Sequence, residues 1–350
     1  MGFSPAPLVL EEVLTKGWLE QALSQGRQPV ELDGFRVVQT LGPSALKIRL
    51  EADYADGTGQ GLPRALCLKG IFDERLTPWL KGGAQQLESF FYERCAPRFG
   101  VRVPACFYTG YDPETGNGII IMEDLVPKGV RFLSALSPYS EAQARQSLGQ
   151  LARLHAASWN ADPRQDPWIT SKLEYLAAGP SVTPARLTEL MQGERGECLP
   201  DDLRDGPRIY AGMAALARRD AHVDRCFVHG DAHAGNVWES AEGTGLVDWQ
   251  VLQRANWSID VAYHIGAALD IEERRGSESR LLDHYLDCLG ALGAPPPDRE
   301  AAWRLYREAL AYGFLMWGMT QRVEPGITDV FVARLGTAVA DHGSYDLLGV

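Results

Sequence analysis

The spacing of hydrophobic residues changes about a third of the way along the chain. Before residue 122, short apolar runs separated by Gly- and Pro-containing turns are typical of β-strands. The pattern predicts strands at 35–41, 45–52, 64–70, 103–111 and 118–122. Apolar residues recur at helical spacing in residues 8–25 and 85–95, and Pro97 is expected to end the second helix.

After residue 124 the helical period dominates. Helices are predicted at 141–158, 203–221, 261–273, 279–292, 299–321 and 329–341. Short strands are expected near 225–237 and 245–249, with a loop between them. We therefore predict an α+β fold with a β-rich N-terminal lobe (1–122), containing one internal helix, and a helical C-terminal lobe (123–350). Glu123-Asp124-Leu125 is the candidate hinge.

Length and charge limit the possible partners. A chain of 350 residues is long enough for two lobes, and 45% hydrophobic with 23% charged residues is ordinary globular composition. The net charge of −12 disfavours nucleic acid and anionic membranes as partners. An acidic surface favours a cationic substrate or simply keeps the protein in solution.

Cysteines and the N-terminus indicate a cytoplasmic protein. The six cysteines include no CxxC pair, so neither a zinc site nor a thioredoxin motif is indicated. Free thiols fit a reducing compartment. Residues 1–10 lack the features of a signal peptide, and no run of 18 apolar residues predicts membrane insertion.

The segment from His229 to Val237 carries the strongest chemical signal. Asp231 and Asn236 are separated by four residues, as the base and the metal-binding amide are in a kinase catalytic loop. Asp248 follows two apolar residues twelve positions later, where kinases place a magnesium carboxylate. Asp231 alone reads as a turn residue. The three together predict a general base, Asp231, and a Mg²⁺ site at Asn236 and Asp248.

His229 and His233 flank the proposed base and invite a metal-hydrolase interpretation. The chain has no HExxH and no cysteine at ligand spacing, whereas zinc sites need three or four ligands. We therefore expect His229 to hydrogen-bond the loop backbone. His155, on an apolar helix face, is expected to be a core histidine.

The N-terminal lobe contains a candidate phosphate-binding lysine. Leu66-Cys67-Leu68-Lys69 is similar to the V-A-I-K strand, whose lysine pairs with the α- and β-phosphates of ATP. The helix at 85–95 should supply the carboxylate that orients it, from Glu88 or Glu93.

The remaining nucleotide contacts are weaker predictions. The apolar strand that ends at Met122 leads into Glu123 and Leu125, which we expect to contact adenine, although a plain core strand would look the same. Ser44, in the short loop 42–45, is the candidate phosphate donor of the glycine loop. No G-x-x-x-x-G-K-[ST] motif is present, which excludes a P-loop kinase.

These motifs together resemble the aminoglycoside phosphotransferase-like kinases, a superfamily that includes choline kinases and ecdysteroid-kinase-like proteins. The resemblance covers roughly residues 30–325. It rests on the HGDxHxxN block at 229–236, the later Asp at 248 and the hinge at 122–125. Three helical motifs, at 88–92, 151–156 and 260–263, add to it. It implies a protein-kinase-like fold, ATP, Mg²⁺ and an alcohol acceptor, and it favours Glu88 as the lysine partner.

The motifs define the branch of the family, the role of Asp260 and the acceptor region less closely. Asp248-Trp249-Gln250 resembles the ecdysteroid-kinase-like branch. Asp260 reads either as a motif residue or as a helix N-cap. The loop containing Pro43 departs from the family pattern, and residues 166–208, where the acceptor is usually selected, match none.

The sequence thus predicts an ATP-dependent kinase of a small-molecule alcohol. The alternative is a nucleotide-binding pseudokinase, favoured only by the short glycine loop. The candidate acceptor contacts form an apolar set, which could instead be core, and an acidic set, which could instead be solvated helix faces. The residues are Trp257, Trp303, Met316, Trp317, Asp201, Asp202, Asp205, Glu272 and Glu273.

Overall fold

The structure is a computed structural model that describes residues 3–42, 45–73, 75, 83–179 and 181–350. The chain forms two compact units. The first unit comprises Met1–Arg98, Val103–Arg131 and Asp248–Val251, and the second comprises Phe99–Arg102, Phe132–Val247 and Leu252–Val350. The division of function at residue 122 stays a prediction.

The first unit is built on an antiparallel sheet with strand order β1-β2-β3-β5-β4. The strands are β1 (Leu32–Leu41), β2 (Leu46–Tyr54), β3 (Ala65–Gly70), β4 (Cys106–Tyr111) and β5 (Gly118–Glu123). Alternate residues of β2, such as Ile48 and Leu50, are buried in an apolar core beneath the N-terminal helices. The predicted β-rich unit is confirmed, with β1 beginning three residues earlier than expected.

Helices of the first unit differ in detail from the prediction. They are α1 (Leu10–Val13), α2 (Lys16–Leu23), α3 (Ala84–Phe90) and α4 (Ala96–Phe99), with a π-helical turn at Phe91–Cys95 between the last two. The single helix expected over 8–25 is divided because Thr15 caps α2, its hydroxyl accepting from the Trp18 N–H. Pro97 does not end the other helix. The π-helical turn before it has already changed the series of backbone hydrogen bonds that a proline would interrupt in a continuous α-helix.

The second unit is mainly helical. Its helices are α5 (Glu141–Ala157), α6 (Leu173–Ala177), α7 (Pro184–Gln192), α8 (Gly206–Asp220), α9 (Ser258–Ala268), α10 (Ile271–Ala291), α11 (Arg299–Gly318), α12 (Pro325–His342) and α13 (Ser344–Leu348). The strands that follow β5 are β6 (Arg131–Phe132), β7 (Cys226–Val228), β8 (Val237–Ser240), β9 (Gly243–Leu246) and β10 (Gln253–Ala255). None of the helices in the described ranges is long and apolar enough to cross a membrane.

The helix boundary expected between residues 273 and 279 was wrong. The break falls at Leu269 and Asp270, both of which have extended backbone, and α10 then runs unbroken from Ile271. Arg274 and Glu278 interrupt the apolar pattern, but both are buried and pair with each other over 2.9 Å, so the helix continues through them.

Helix α9 is the centre of the second unit, since every one of its residues is buried. It packs against α11, α12 and α5. Polar side chains on such a helix need internal partners. Those of Asp260, Tyr263 and His264 find them in the loop that follows β7.

Candidate active site

The loop after β7 is fastened to α9 by Asp260. The Asp260 carboxylate accepts the backbone N–H of His229 over 2.6 Å and that of Gly230 over 2.8 Å. His155 Nε2 lies 3.1 Å from the same carboxylate, and His155 is fully buried. Asp260 is therefore not a helix N-cap, since Trp257 occupies that position. The core role expected for His155 is confirmed.

Gly230 allows the sharp turn that presents Asp231. Its φ of +78° lies in the left-handed region that other residues rarely adopt. The carbonyl oxygen of Gly230 accepts a hydrogen bond from the Tyr312 hydroxyl over 2.6 Å. The backbone N–H and the carbonyl oxygen of Gly230 therefore both bond to side chains of core helices, which fixes the direction in which the loop leaves β7.

Asp231 is held by three side chains of the second unit. Its Oδ1 accepts the Tyr263 hydroxyl over 2.9 Å, and its Oδ2 accepts Asn236 Nδ2 over 3.1 Å. His233 Nε2 lies 3.5 Å from Oδ2. Burial alone would raise the pKa of Asp231, but His233 and the Tyr263 hydrogen bond outweigh it and hold the pKa below its ordinary value. The carboxylate is ionised at neutral pH and about a quarter exposed (25%).

The two histidines of the loop have structural partners. His229 Nδ1 accepts the Asp231 N–H over 3.2 Å, while its Nε2 lies 3.0 Å from the Val247 carbonyl and donates to it. The expected role of His229 in shaping the loop is confirmed. His233 Nδ1 accepts the Gly235 N–H over 3.0 Å. Within the described part of the chain, no three His, Cys, Asp or Glu side chains form a metal-binding group.

Asn236 presents an oxygen suited to a hard cation. Its Nδ2 donates to the Asp231 carbonyl over 2.8 Å as well as to the Asp231 carboxylate. With the amide nitrogen turned into the loop, Oδ1 points the other way and accepts no hydrogen bond from the residues that the structure describes. An amide oxygen and a carboxylate are ligands that Mg²⁺ takes together with substrate phosphates. The side chains of Asn236 and Asp248 each offer a donor oxygen suited to Mg²⁺, and the magnesium site that they would share stays a prediction.

In the first unit, Lys69 forms a buried ion-pair cluster. Its Nζ lies 2.8 Å from the Glu88 carboxylate and 3.1 Å from Asp248 Oδ1. The Lys69 and Glu88 side chains are 2% and 3% exposed. Burial by itself lowers the pKa of Lys69, but the carboxylates of Asp248 and Glu88 more than reverse this and raise it above its ordinary value. Glu93 is exposed and pairs with Arg94, so Glu88 is the partner of the lysine.

Asp248 occupies a strained position beside an aromatic stack. Its φ of +69° is unusual for a residue other than glycine, and such strain concentrates at functional positions. The next residue, Trp249, stacks on Phe91 with ring centroids 3.5 Å apart. The Trp249 N–H donates to Glu88 over 3.3 Å. The segment that carries Asp248 is thus fixed to the helix that carries Glu88.

The predicted adenine-contacting residues lie at the end of β5. Met122 is buried and pairs in register with Cys67 of β3. Glu123 accepts the Ala105 N–H with its carboxylate over 3.1 Å, and Leu125 is buried just beyond the strand. Their contact with a nucleotide stays a prediction. Ser44 and Pro43 lie outside the described residues.

Four of the candidate acceptor residues have their own partners on helices of the second unit. Buried Trp257 stacks on Tyr285, and half-buried Trp303 stacks on Tyr306. Trp317, by contrast, packs edge-on to His233 with ring centroids 5.2 Å apart. Two of the candidate acidic residues, Asp202 and Glu272, form surface ion pairs with arginines, as solvated helix faces do.

Sequence reasoning missed the role of Tyr263 and left that of Asp260 open. The two lie three positions apart on α9, a spacing that places both side chains on one face of a helix. That spacing was a usable signal, since two polar residues on one face of a very apolar helix need a common polar partner.

Comparisons with known proteins agree with this geometry. The sequence model of the phosphotransferase enzyme family matches residues 91–308, more than half of the chain. No protein of curated function gives a match. The resemblance to the aminoglycoside phosphotransferase-like superfamily is confirmed, whereas the ecdysteroid-kinase-like branch stays a prediction.

Several solved structures have a similar fold. A choline kinase from Cryptosporidium parvum Iowa II is 10% identical, with a TM-score of 0.50 over 90% of this chain and 89% of that one. A Plasmodium vivax ethanolamine kinase is 12% identical, with a TM-score of 0.49 over 88% and 81%. A macrolide 2′-phosphotransferase from Brachybacterium faecium is 16% identical, with a TM-score of 0.46 over 87% and 91%. The first likeness confirms the predicted α+β, protein-kinase-like fold. The chain belongs to the phosphotransferase enzyme family.

Proposed function

We propose that this phosphotransferase moves the γ-phosphoryl group of ATP to a hydroxyl group of a small molecule, with Asp231 as the base. The observation that carries the proposal is the Asp231 carboxylate, ionised and held by Tyr263 and Asn236 at the tip of an anchored loop. A carboxylate kept in one orientation can align an alcohol and accept its proton as the O–P bond forms.

Lys69 is proposed to neutralise the α- and β-phosphates of ATP. Its ammonium group is fixed by Glu88 over 2.8 Å, so it meets the nucleotide without losing further side-chain freedom. The raised pKa keeps it charged throughout the physiological range. Met122, Glu123 and Leu125 are proposed to contact the adenine, and Ser44 the phosphates.

Asn236 and Asp248 are the proposed magnesium ligands. These two side chains would hold a magnesium ion, which would supply positive charge to offset the charge that develops on the transferred group. The chain contributes the orientation of its own ligands. Asn236 is fixed by the same hydrogen bonds that position Asp231, and Asp248 by its contact with Lys69.

The acceptor is proposed to be a neutral alcohol or a polyol rather than a highly charged cation. Trp317 and Phe331 are buried side chains that pack against His233, so the part of the second unit next to the loop is apolar. The pseudokinase alternative has less support, since Lys69, Glu88, Asp231, Asn236 and Asp248 all keep the side chains that turnover requires. The six cysteines are free thiols, which supports a cytoplasmic location.

The test is Mg²⁺-dependent release of ADP from ATP across a panel of aminoglycosides, choline, sugars, homoserine and sterols. We expect one class to stimulate release, and Asp231→Ala to abolish the stimulation while nucleotide binding persists. The exposed Asp224→Ala serves as the matched control and should retain full activity. An active Asp231→Ala enzyme would refute the base, and a native chain that fails to bind ATP would refute the kinase assignment.

A further inference from the structure

A pocket in the second unit is lined by none of the residues proposed for catalysis. It is open to solvent, has a volume of about 690 Å³ and lies between α5, the end of α10 and the turn between β8 and β9. This volume falls in the range of small-molecule sites. The proposed reaction uses none of the residues that line it.

The lining of the pocket is basic in an acidic protein. Three arginines, Arg102, Arg145 and Arg153, face a single carboxylate, Glu242. The chain as a whole carries a net charge of −12. A concave surface with local positive charge concentrates anions from solution.

Two of these guanidinium groups are exposed and form no ion pair within the described part of the chain. They belong to Arg145 and Arg153, which lie two helical turns apart on one face of α5. The third, Arg102, is fixed by Glu242 over 2.7 Å, yet its Nη1 is buried without an acceptor among the described atoms. A buried N–H group such as Nη1 of Arg102 normally finds an acceptor. The exposed planar guanidinium groups of Arg145 and Arg153 suit phosphate oxygens.

On the opposite wall, the thiol of Cys288 can report whether the pocket is occupied. His284 and Cys288 lie one turn apart on α10, with the thiol 3.5 Å from His284 Nε2. Burial raises the pKa of the Cys288 thiol, while Arg145 and Arg153 are near enough to lower it in part. Cys288 is half-buried, so an occupant of the pocket would cover it.

We infer that this pocket binds a phosphate-bearing small molecule, with Arg145 and Arg153 as its principal ligands. The site is distinct from the proposed nucleotide contacts and does not depend on the proposed function. Its floor is the turn of the β8–β9 hairpin, and β8 begins at the residue after Asn236.

The test uses inorganic pyrophosphate as the probe, without nucleotide and with EDTA to remove metal ions. The rate at which a maleimide modifies each cysteine is followed by peptide mass spectrometry. Pyrophosphate should slow the modification of Cys288 and leave exposed Cys198 unchanged. An unchanged rate at Cys288 at millimolar pyrophosphate would overturn the inference.

A matched pair of double variants locates the binding. Arg145→Glu with Arg153→Glu should weaken pyrophosphate binding, measured by calorimetry, about 10-fold or more, as expected for the loss of two charge-assisted contacts. Arg218→Glu with Arg322→Glu changes the net charge equally at exposed positions elsewhere and should leave binding intact. Equal weakening by both pairs would point to non-specific charge and overturn the inference.

Discussion

The hydroxyl of Tyr263 donates a hydrogen bond to Oδ1 of Asp231 over 2.9 Å, joining two residues that are 32 positions apart in sequence. Burial raises the pKa of the Tyr263 phenol well above its ordinary value, so the group stays protonated and always donates. One oxygen of the proposed base is therefore permanently occupied, and the other faces Asn236.

Tyr263→Phe should lower kcat about 10-fold, because a hydrogen bond to a charged group contributes about 1.5–3 kcal/mol. The same hydrogen bond helps to lower the pKa of Asp231, so the acidic limb of the pH–rate profile should move to higher pH. Steady-state kinetics between pH 4 and 8 would measure both effects. A lower kcat with an unmoved acidic limb would indicate that Tyr263 only packs against the loop.

Asp260→Asn replaces one carboxylate oxygen, which accepts hydrogen bonds, by an NH₂ group, which donates them. The free energy of unfolding should fall by about 1–3 kcal/mol for each buried group that loses its partner. The groups affected are the His229 and Gly230 amides, which now donate to the carboxylate. Urea unfolding followed by circular dichroism gives the measurement. The exposed Asp224→Asn should change stability little, and a similar loss in both variants would contradict the anchoring role.

Lys69 and Glu88 should show strong coupling in a double-mutant cycle. Lys69→Met should destabilise the protein by about 3–5 kcal/mol, because it leaves the Glu88 carboxylate buried without its charge partner. Glu88→Gln should cost less, because Lys69 keeps Asp248 at 3.1 Å. The double variant should lose much less than the sum of the two.

The control for this cycle is the exposed pair Arg36 and Glu51, whose side chains are 66% and 42% exposed. Arg36→Met and Glu51→Gln should each cost less than about 1 kcal/mol and add independently. Additive losses for Lys69 and Glu88 would show that their contact contributes nothing beyond the two separate side chains.

Acid should destabilise the protein through His264. Burial lowers the pKa of His264 from 6.5 to about 4 in the folded chain, where its Nδ1 lies 2.7 Å from the Ala232 carbonyl and donates to it. Between these pH values the unfolded chain binds a proton that the folded chain does not, so stability falls as the pH drops from 6.5 to 4. The shift corresponds to about 3 kcal/mol.

Unfolding free energies at pH 7.5 and pH 4.5 would test this dependence in the native chain and in His264→Gln, where it should be shallower. His222→Gln, at an exposed position, should keep the native dependence. Identical slopes in all three proteins would remove His264 as the cause.

The parts of the site that the sequence predicted are local. Asp231 and Asn236 belong to one loop, and their spacing alone predicted that they act together. Long-range partners were harder, because nothing in the residues near Asp231 identifies Tyr263 as the donor to its carboxylate. Glu88 could be chosen over Glu93 only through the family resemblance, whereas the structure separates them by burial.

The helix boundaries that were predicted wrongly also depend on contacts that the local sequence does not reveal. Periodicity predicted the sheet and the helical unit correctly, but it misplaced boundaries that depend on a single contact. Arg274 and Glu278 look like a surface interruption until their mutual ion pair is seen, and Pro97 looks like a helix end until the π turn is known. Such features depend on which atoms meet, and hydrophobic spacing carries no information about that.

Helix α9 has no exposed residue, yet its Asp260, Tyr263 and His264 form hydrogen bonds with the loop that carries the proposed base. The position of the proposed base therefore depends on a helix whose residues are all buried. Substitutions on the exposed faces of the other helices leave these three contacts unchanged. The geometry of the proposed base can therefore persist while the surface of the protein diverges.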